Sequence, residues 1–431
     1  MTELVLSPEA RAALKALLAD HGVEELFAAL EGGGEETRIV GGAVRNALMG
    51  VAVTEIDFAT TALPDEVTRR VSLAGFKPVP TGVEHGTVTV VVNGRPFEVT
   101  TLREDVETDG RRAIVRFGRS FASDAERRDF TINALSLGRD GSVHDEVGGL
   151  QDIAARRVRF IGDARRRIAE DYLRILRFFR FHASYANERL DPDGFAAAIE
   201  LREGLDNLSA ERVRSELLKL LMAPGAIPTV EEMLEGGFWP ILLQGVPHIG
   251  RFASFVRRGD PAVGRSTGPL ERLAALAVMT REDATRLREK LRLSNAEATL
   301  LAKIARSMET LHGWPERAGQ PAFATEFTRL VLDLGVGPVL TALSIEAGEA
   351  AGAQLPALRD RAERVPAFPL SGSHILARGV RAGPELGRVL ARAREAWIAA
   401  SCPLDEARLA AIVEQALNEG IEPGSLSRDS G

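Results

Sequence analysis

Cysteine is almost missing from this 431-residue chain: Cys402 is the only one. Internal disulfides and cysteine-based zinc sites are thereby excluded, and a reducing compartment is expected. Long apolar runs are lacking as well, so no segment reads as a membrane span. The opening MTELVLSPEARAALKALLADHG has neither a basic leader nor an apolar signal core. It reads as an ordinary helix start, with Ser7 as cap and Pro8 in the first turn, and the expected location is the cytoplasm. The seven histidines are scattered, and no Cys/His or Ser/His constellation points to a covalent nucleophile. His144-Asp145 lacks the further ligands of a metal phosphohydrolase and reads as a strand end. A surplus of positive charge is also missing. The net charge is −7, which argues against a generic basic nucleic-acid binder.

What is present starts with length. The chain exceeds what one core can organise, and roughly two to four domains are expected. Hydrophobic and charged contents of 45% and 27% are those of a soluble globular protein. The average charge hides a local excess. Nine arginines lie between Arg156 and Arg180, against Asp163, Glu170 and Asp171. Leu173, Ile175, Leu176, Phe178, Phe179 and Phe181 crowd the same stretch, which suits a solvated charged face poorly.

Up to about residue 150 the pattern mixes helices and strands. TVTVVVNGRPFEVTTL (87–102) places two β-rich runs around Asn93-Gly94, a type I′ hairpin signal. FTINALSLGRDGSVHDEVGG reads as a helix start or strand, then a turn at Asp140-Gly141. Beyond residue 150 strand signals give way to Ala, Leu, Arg and Glu at helical spacing, without internal repeats. RRGDPAVGRSTGP and VPAFPLSGS read as joints. An α/β head followed by a long helical arm is expected.

One stretch concentrates chemistry: RIVGGAVRNALMGVAVTEIDFATT (38–61). Glycines at a strand-to-helix turn let a phosphate approach backbone amides, and the helix N-terminus adds a favourable field. Gly41 and Gly42 stand at such a turn, with Arg45 one turn on to reach the same phosphate; a plain tight turn is the alternative. Glu55 and Asp57 are two apart, so in a strand both face one side while Ile56 faces the core. Like charges this close call for solvent or a hard cation, and oxygen ligands suit Mg²⁺ on a nucleotide phosphate. Glu98, in the second hairpin strand, is a third candidate for the cluster.

GGAVRNALMG…TEIDFATTALPDEV resembles the first motif of the class II tRNA nucleotidyltransferases and bacterial poly(A) polymerases, members of the polymerase-β-like superfamily. ERRDFTINAL (126–135) resembles their second motif and AEDYLRILRFFRF (169–181) their nucleotide-selecting helix. LREDVETDGRRAIVRFG (102–118), with Arg103, Asp105, Asp109 and Arg111, resembles their flexible loop. LSAERVRSELLKLL (208–221) resembles the neck helix and LSGSHILARGVRAGPELGRVL (370–390) the tail. The motifs run in order across most of the chain. Two positions depart from the pattern: Asn46 replaces the usual Asp, keeping an acceptor but losing a charge, and Glu55 replaces the first Asp of D-x-D.

The resemblance implies an α+β fold: a polymerase-β-like nucleotidyltransferase head with a mixed sheet, then an elongated all-helical neck, body and tail. The expected divisions are head 1–150, neck and selecting helices 151–222, body 223–365 and tail 366–431. It implies addition of CMP and AMP from CTP and ATP to the tRNA 3′ end, without a nucleic-acid template and with Mg²⁺. Glu55, Asp57 and Glu98 would be catalytic, the first two as metal ligands. Arg128, Asp129 and Asn133 would contact triphosphate and ribose; a capped helix start at Asp129 is the plain structural reading. Asp171 and Arg174 are three apart, with Arg177 and Arg180 continuing along that side. Asp accepts hydrogen bonds and Arg donates them, which matches the edges of cytosine and adenine and mismatches uracil and guanine. Arg378 and Arg381, beside a helix opening at Pro384, are candidates for an RNA-phosphate seat. Competing readings are a bacterial poly(A) polymerase and, from another class, a noncatalytic RNA-binding protein on a transferase scaffold.

Overall fold

Alternation of apolar and polar residues along the strands sets the architecture of the head. The protein is described by a computed structural model over residues 6–82, 86–109, 112–187, 189–259, 267–347 and 353–419, with backbone alone for 81, 104–109 and 112–116. The chain divides into two units, Met1–Leu242 and Leu243–Gly431.

The first unit opens with α1 (Pro8–Leu18) and α2 (His21–Leu30). Ser7 and Asp20 cap them, accepting from the amides of Ala10 and Val23. Then follow β1 (Thr37–Val40), α3 (Gly42–Met49), β2 (Asp57–Thr60), α4 (Pro64–Leu73), β3 (Lys77–Gly82), β4 (Thr87–Val92) and β5 (Arg95–Thr101). β6 (Arg103–Asp109) and β7 (Arg112–Phe117) precede α5 (Phe121–Glu126), β8 (Ser136–Gly138) and β9 (Val143–His144). The helices α6 (Gly149–Ala154), α7 (Ala164–Glu170), α8 (Leu173–Tyr185), α9 (Pro192–Glu200), α10 (Ala210–Met222) and α11 (Ala226–Glu235) complete the unit's main elements.

Seven strands form one mixed sheet in the order β3-β4-β5-β2-β1-β8-β9. Only β2 and β5 run parallel; the other neighbours are antiparallel. Asn93 and Gly94 make the expected two-residue turn with φ of +52° and +81°. On one sheet face Phe58 packs edge-on against Phe27 and Phe97, with centroids 5.2 and 6.0 Å apart. The opposite face receives Asp57 and Glu98, which the register pairs directly. The stretch expected as a flexible loop is a separate two-stranded ribbon, β6 with β7. Arg103 starts it, Asp105 and Asp109 are defined by backbone only, and Arg111 lies outside the described residues.

Among the described residues the second unit has helices and no strand. Trp314, Phe323, Phe327 and Leu340 anchor one apolar cluster. Ile375, Trp397 and Val413 anchor another. No helix among the described residues is long and apolar enough to cross a membrane.

Candidate active site

The turn after β1 is built by Gly41. Its φ of +67° and ψ of −119° suit glycine alone. A Cβ there would stand 2.9 Å from Nη1 of Arg128. The Gly41 amide donates to the Leu135 carbonyl at 3.1 Å, tying the turn to the segment before β8. No side chain caps α3, so its first-turn amides keep their capacity for an anion. Gly42 differs from Gly41. Its φ is not positive, and a Cβ would meet only Arg45 Nη2, at 3.7 Å.

Beside this turn lie the carboxylates. Val40 pairs with Asp57 across β1 and β2, and Asp57 with Glu98 across β2 and β5. Glu55 precedes the strand rather than lying in it, and Ile56 between them is buried as expected. Partial desolvation by its neighbours, then the negative charges of Glu98 and Glu55, push the solvent-facing Asp57 carboxyl above its ordinary range, against the pull of Arg128. Among the described residues no three acidic, histidine or cysteine side chains close into a metal cage. The donor set still fits a hard divalent cation: oxygen ligands only, mutually repelling, on a solvent-facing sheet surface.

The second motif holds the first. Asp124, 4% exposed, accepts from Arg127 and, at 3.0 Å, from Arg128. Burial raises its carboxyl, but the two guanidiniums outweigh this and hold it below the usual range. Arg128 also donates to the Asn133 carbonyl at 3.1 Å. Asp129 does not cap a helix. One of its oxygens accepts from the Phe130 amide and from Asn133 Nδ2, both at 2.9 Å, and the other from Arg177 at 2.7 Å. The segment after it is a short 3₁₀ turn, Thr131–Asn133, because residues from Ser136 onward must enter the sheet.

Arg45 is buried at 7% exposure. It donates to Asn133 Oδ1 at 2.5 Å, to Asn46 Oδ1 at 3.1 and 2.8 Å, and to the Tyr185 hydroxyl at 2.7 Å. A continuous network thus runs Arg45–Asn133–Asp129–Arg177, from α3 through the second motif to α8. The guanidiniums of Arg45, Arg177 and Arg180 gather around the Phe181 ring at 5.2, 5.2 and 4.2 Å. Arg180 also pairs with Glu216 of α10 at 2.5 Å.

Asp171 and Arg174 stand at the N-terminal end of α8. Asp171 follows α7 and lies outside the helix, so the two do not form an intrahelical pair. Its oxygens accept from the Leu173 amide at 3.1 Å and from Arg212 at 2.7 Å. Arg174 donates through Nη1 alone, to Glu170 at 2.5 Å and to the Arg167 carbonyl at 2.8 Å. Its Nε and Nη2 remain unengaged among the described residues. Burial raises the Glu170 carboxyl, but its bonds to Arg174 and Arg167 prevail and hold it low.

Arg378 pairs with Glu414 at 3.3 Å and Arg381 is exposed, both in the second unit. The helix opening at Pro384 carries Glu385, which engages Arg388 and Arg392. His144 ends β9, as expected, and Asp145 accepts from four amides, Val147 to Leu150, before and into α6. Sequence reasoning missed Asp124, Glu170, Arg212 and Tyr185. Asp124 had a signal, since Arg127 and Arg128 follow it by three and four residues. Tyr185 had a fainter one, four residues after Phe181 on the same helical face.

Known proteins resemble this chain in sequence and in fold. Residues 37–159 match the family described as "Poly A polymerase head domain", and residues 189–249 the one described as "Probable RNA and SrmB- binding site of polymerase A". The mitochondrial CCA tRNA nucleotidyltransferase 1 of Mus musculus is 36% identical over 365 residues, 84% of this chain and 82% of that protein. A CCA-adding enzyme of Levilactobacillus brevis is 41% identical over 212 residues, 49% of this chain and 52% of that protein. The Bacillus stearothermophilus CCA-adding enzyme in complex with CTP aligns with a TM-score of 0.71 at 25% identity, over 96% of this chain and 99% of that one.

Proposed function

The chain belongs to the family of the CCA-adding tRNA nucleotidyltransferases and poly(A) polymerases, and from that premise we propose that it adds CMP and AMP, from CTP and ATP, to the 3′ end of tRNA. The observation that carries the reading is the network from Arg45 to Arg177. It joins a phosphate-type turn to an arginine-bearing helix beside the Asp57–Glu98 pair.

The triphosphate lies against the uncapped start of α3, at Gly41 and Gly42, within reach of Arg45 and Arg128. Asn133 orients both guanidiniums, is itself held by Asp129, and with Asp129 faces the ribose. Glu55 and Asp57, with Glu98 beside them, hold a divalent metal ion, which we assign as Mg²⁺; when bound it supplies charge neutralisation on the phosphates and a more acidic 3′-hydroxyl. The hydroxyl oxygen gives up its proton to solvent and bonds to the α-phosphorus, the bond to the bridging oxygen breaks, and pyrophosphate leaves with its electron pair. Positioning supplies most of the catalysis. Asp171 as acceptor and Arg174 as donor face the base edge, with Arg177 and Arg180 backing them. The unengaged Nε and Nη2 of Arg174 support this assignment. Arg378 and Arg381 take RNA phosphate in the tail, and the stretch 102–118, with Arg103, Asp105, Asp109 and Arg111, serves the change from C to A.

We assign residues 1–150 to the catalytic head, 151–222 to the neck and selecting helices, 223–365 to the body and 366–431 to the tail. The separate apolar clusters before and after residue 365 support the last division. The reaction is assigned to the cytoplasm, in keeping with the single free thiol. The test is incubation with tRNA lacking its 3′ end, with each nucleotide alone and in pairs, with and without divalent metal, followed by sequencing of the product ends. Ends in CCA are expected. Long adenosine tails would indicate a poly(A) polymerase, and no incorporation a binding protein.

A further inference from the structure

The buried guanidinium of Arg45 has only neutral partners. Its Nε and Nη2 donate to Asn46 Oδ1, Nη2 also to the Tyr185 hydroxyl, and Nη1 to Asn133 Oδ1. The Tyr185 hydroxyl in turn reaches Asn46 Oδ1 at 3.3 Å, and its ring lies under the guanidinium, 4.1 Å from centroid to Cζ. Among the described residues no carboxylate is within ion-pairing distance of Arg45. Four of its five N–H groups are thus engaged, and one on Nη1 is left. Burial, the largest influence, depresses the Arg45 pKa, and the Asp129 charge and the bond to the Tyr185 hydroxyl oppose it. A buried cation without a counter-charge is costly and is relieved when an anion binds. Phosphate is the fitting anion, because Gly42 and the uncapped start of α3 adjoin this guanidinium.

We propose that Asn46 and Tyr185 form a neutral clamp that fixes Arg45 without cancelling its charge, so that Arg45 stays available to the nucleotide's triphosphate. Tyr185 is then a positioning residue. It ends α8 and bonds to two residues of α3, coupling the helix that reads the base to the helix that seats the phosphates. A carboxylate at position 46 would pair with Arg45 and lower its pull on phosphate, whereas the Asn46 amide holds the guanidinium without cancelling its charge.

The inference rests on the proposed nucleotide transfer, and a binding probe independent of turnover separates the two. Inorganic triphosphate is titrated against the full chain by thermal shift and as an inhibitor of CTP and ATP incorporation. Wild-type binding of triphosphate without incorporation would defeat the activity reading alone. Asn46→Asp should weaken triphosphate binding about tenfold, the scale of one charge-assisted contact. It should raise KM for CTP and ATP alike; Tm is not diagnostic, because the carboxylate also loses the bond that Asn46 Nδ2 donates to the Ala52 carbonyl at 3.0 Å. Tyr185→Phe, which keeps the ring, should raise both KM values several-fold while kcat falls less and base selection is unchanged. Tyr185→Leu, which loses the ring as well, should be weaker still. Unchanged triphosphate affinity in Asn46→Asp and Tyr185→Phe would overturn the clamp. So would an effect on only one of the two nucleotides.

Discussion

Gly41 and Gly42 lack side chains for different reasons, and single alanine substitutions should separate them. At Gly41 an alanine must adopt φ +67° and ψ −119°, which costs about 1–3 kcal/mol for a residue with a Cβ. The added methyl would also sit 2.9 Å from Arg128 Nη1. That atom would have to leave the Asn133 carbonyl it now reaches at 3.1 Å, a loss of about 1.5–3 kcal/mol for a charged donor. Gly41→Ala should therefore lose about 2.5–6 kcal/mol of stability, and its nucleotide addition should fall with the displaced Arg128. At Gly42 the same change meets only Arg45 Nη2 at 3.7 Å, an ordinary contact. Alanine is the better helix former by about 1 kcal/mol, so Gly42→Ala should match or exceed the wild-type Tm. If a phosphate lies against the start of α3, the methyl will obstruct it, and KM for CTP and ATP should rise about tenfold with the fold intact. Urea unfolding and steady-state kinetics on both variants decide the matter. Equal stability losses would refute the backbone argument, and a wild-type KM in Gly42→Ala would refute the phosphate seat.

Asp57→Asn should reduce nucleotide addition about a hundredfold or more, measured by incorporation of labelled CTP. It should leave unfolding stability at pH 7 unchanged or slightly higher, because it removes a carboxylate that Glu98 and Glu55 already destabilise. Arg174→Ala should narrow the preference for CTP over UTP about tenfold or more, at roughly 1–3 kcal/mol per buried group left unpaired; undiminished exclusion of UTP and GTP would move base selection elsewhere. His182, 6% exposed, is held neutral by burial with a pKa lowered from 6.5 to about 4. Its neutral form adds stability that is complete above pH 6.5 and is lost as pH falls toward about 4, on the order of 3 kcal/mol in the limit. His182→Leu should flatten that acid limb in pH-dependent unfolding, and an identical limb would show that other groups produce it. Deleting residues 106–112 from the ribbon should spare both cytidines and block the terminal adenosine, read by sequencing tRNA ends.

Much of the first unit was legible because its signals are local. Asn93-Gly94 fixed a turn, and the Gly-Gly after an apolar run fixed the passage from strand to helix. Two-residue spacing kept Ile56 inward between Glu55 and Asp57. The pairing of Asp57 with Glu98 was less accessible, since a parallel pair joins β2 to β5 over about forty residues of intervening chain and no pattern within either strand specifies that register. Side-chain commitments were the least legible. Spacing put Asp171 and Arg174 on one face, but the break between α7 and α8 sends Asp171 to Arg212 and leaves Arg174 with Glu170. Asp129 had the residue type of a helix cap, yet the sheet claims the following segment and its carboxylate bridges Asn133 and Arg177 instead.

The arginine run shows how tertiary partners change the meaning of a charge pattern. By sequence, nine arginines face three acids and suggest an electropositive patch. In the fold their counter-charges arrive from elsewhere. Arg157 and Arg159 meet Asp152, Arg165 meets Glu200, Arg177 meets Asp129, and Arg180 meets Glu216. Arg167 and Arg174 share Glu170. Little of the run remains as loose positive surface, so its contribution to long-range steering of RNA is small. What the pairing supplies is fixed direction: a guanidinium held by a carboxylate on one side presents its remaining N–H groups at a defined angle on the other. A reader of base edges needs that property, and an electrostatic funnel does not. Under the proposed function the same distinction reconciles an acidic protein with a nucleic-acid substrate, because arginines fixed by carboxylates would serve to discriminate among nucleotides and not to gather them.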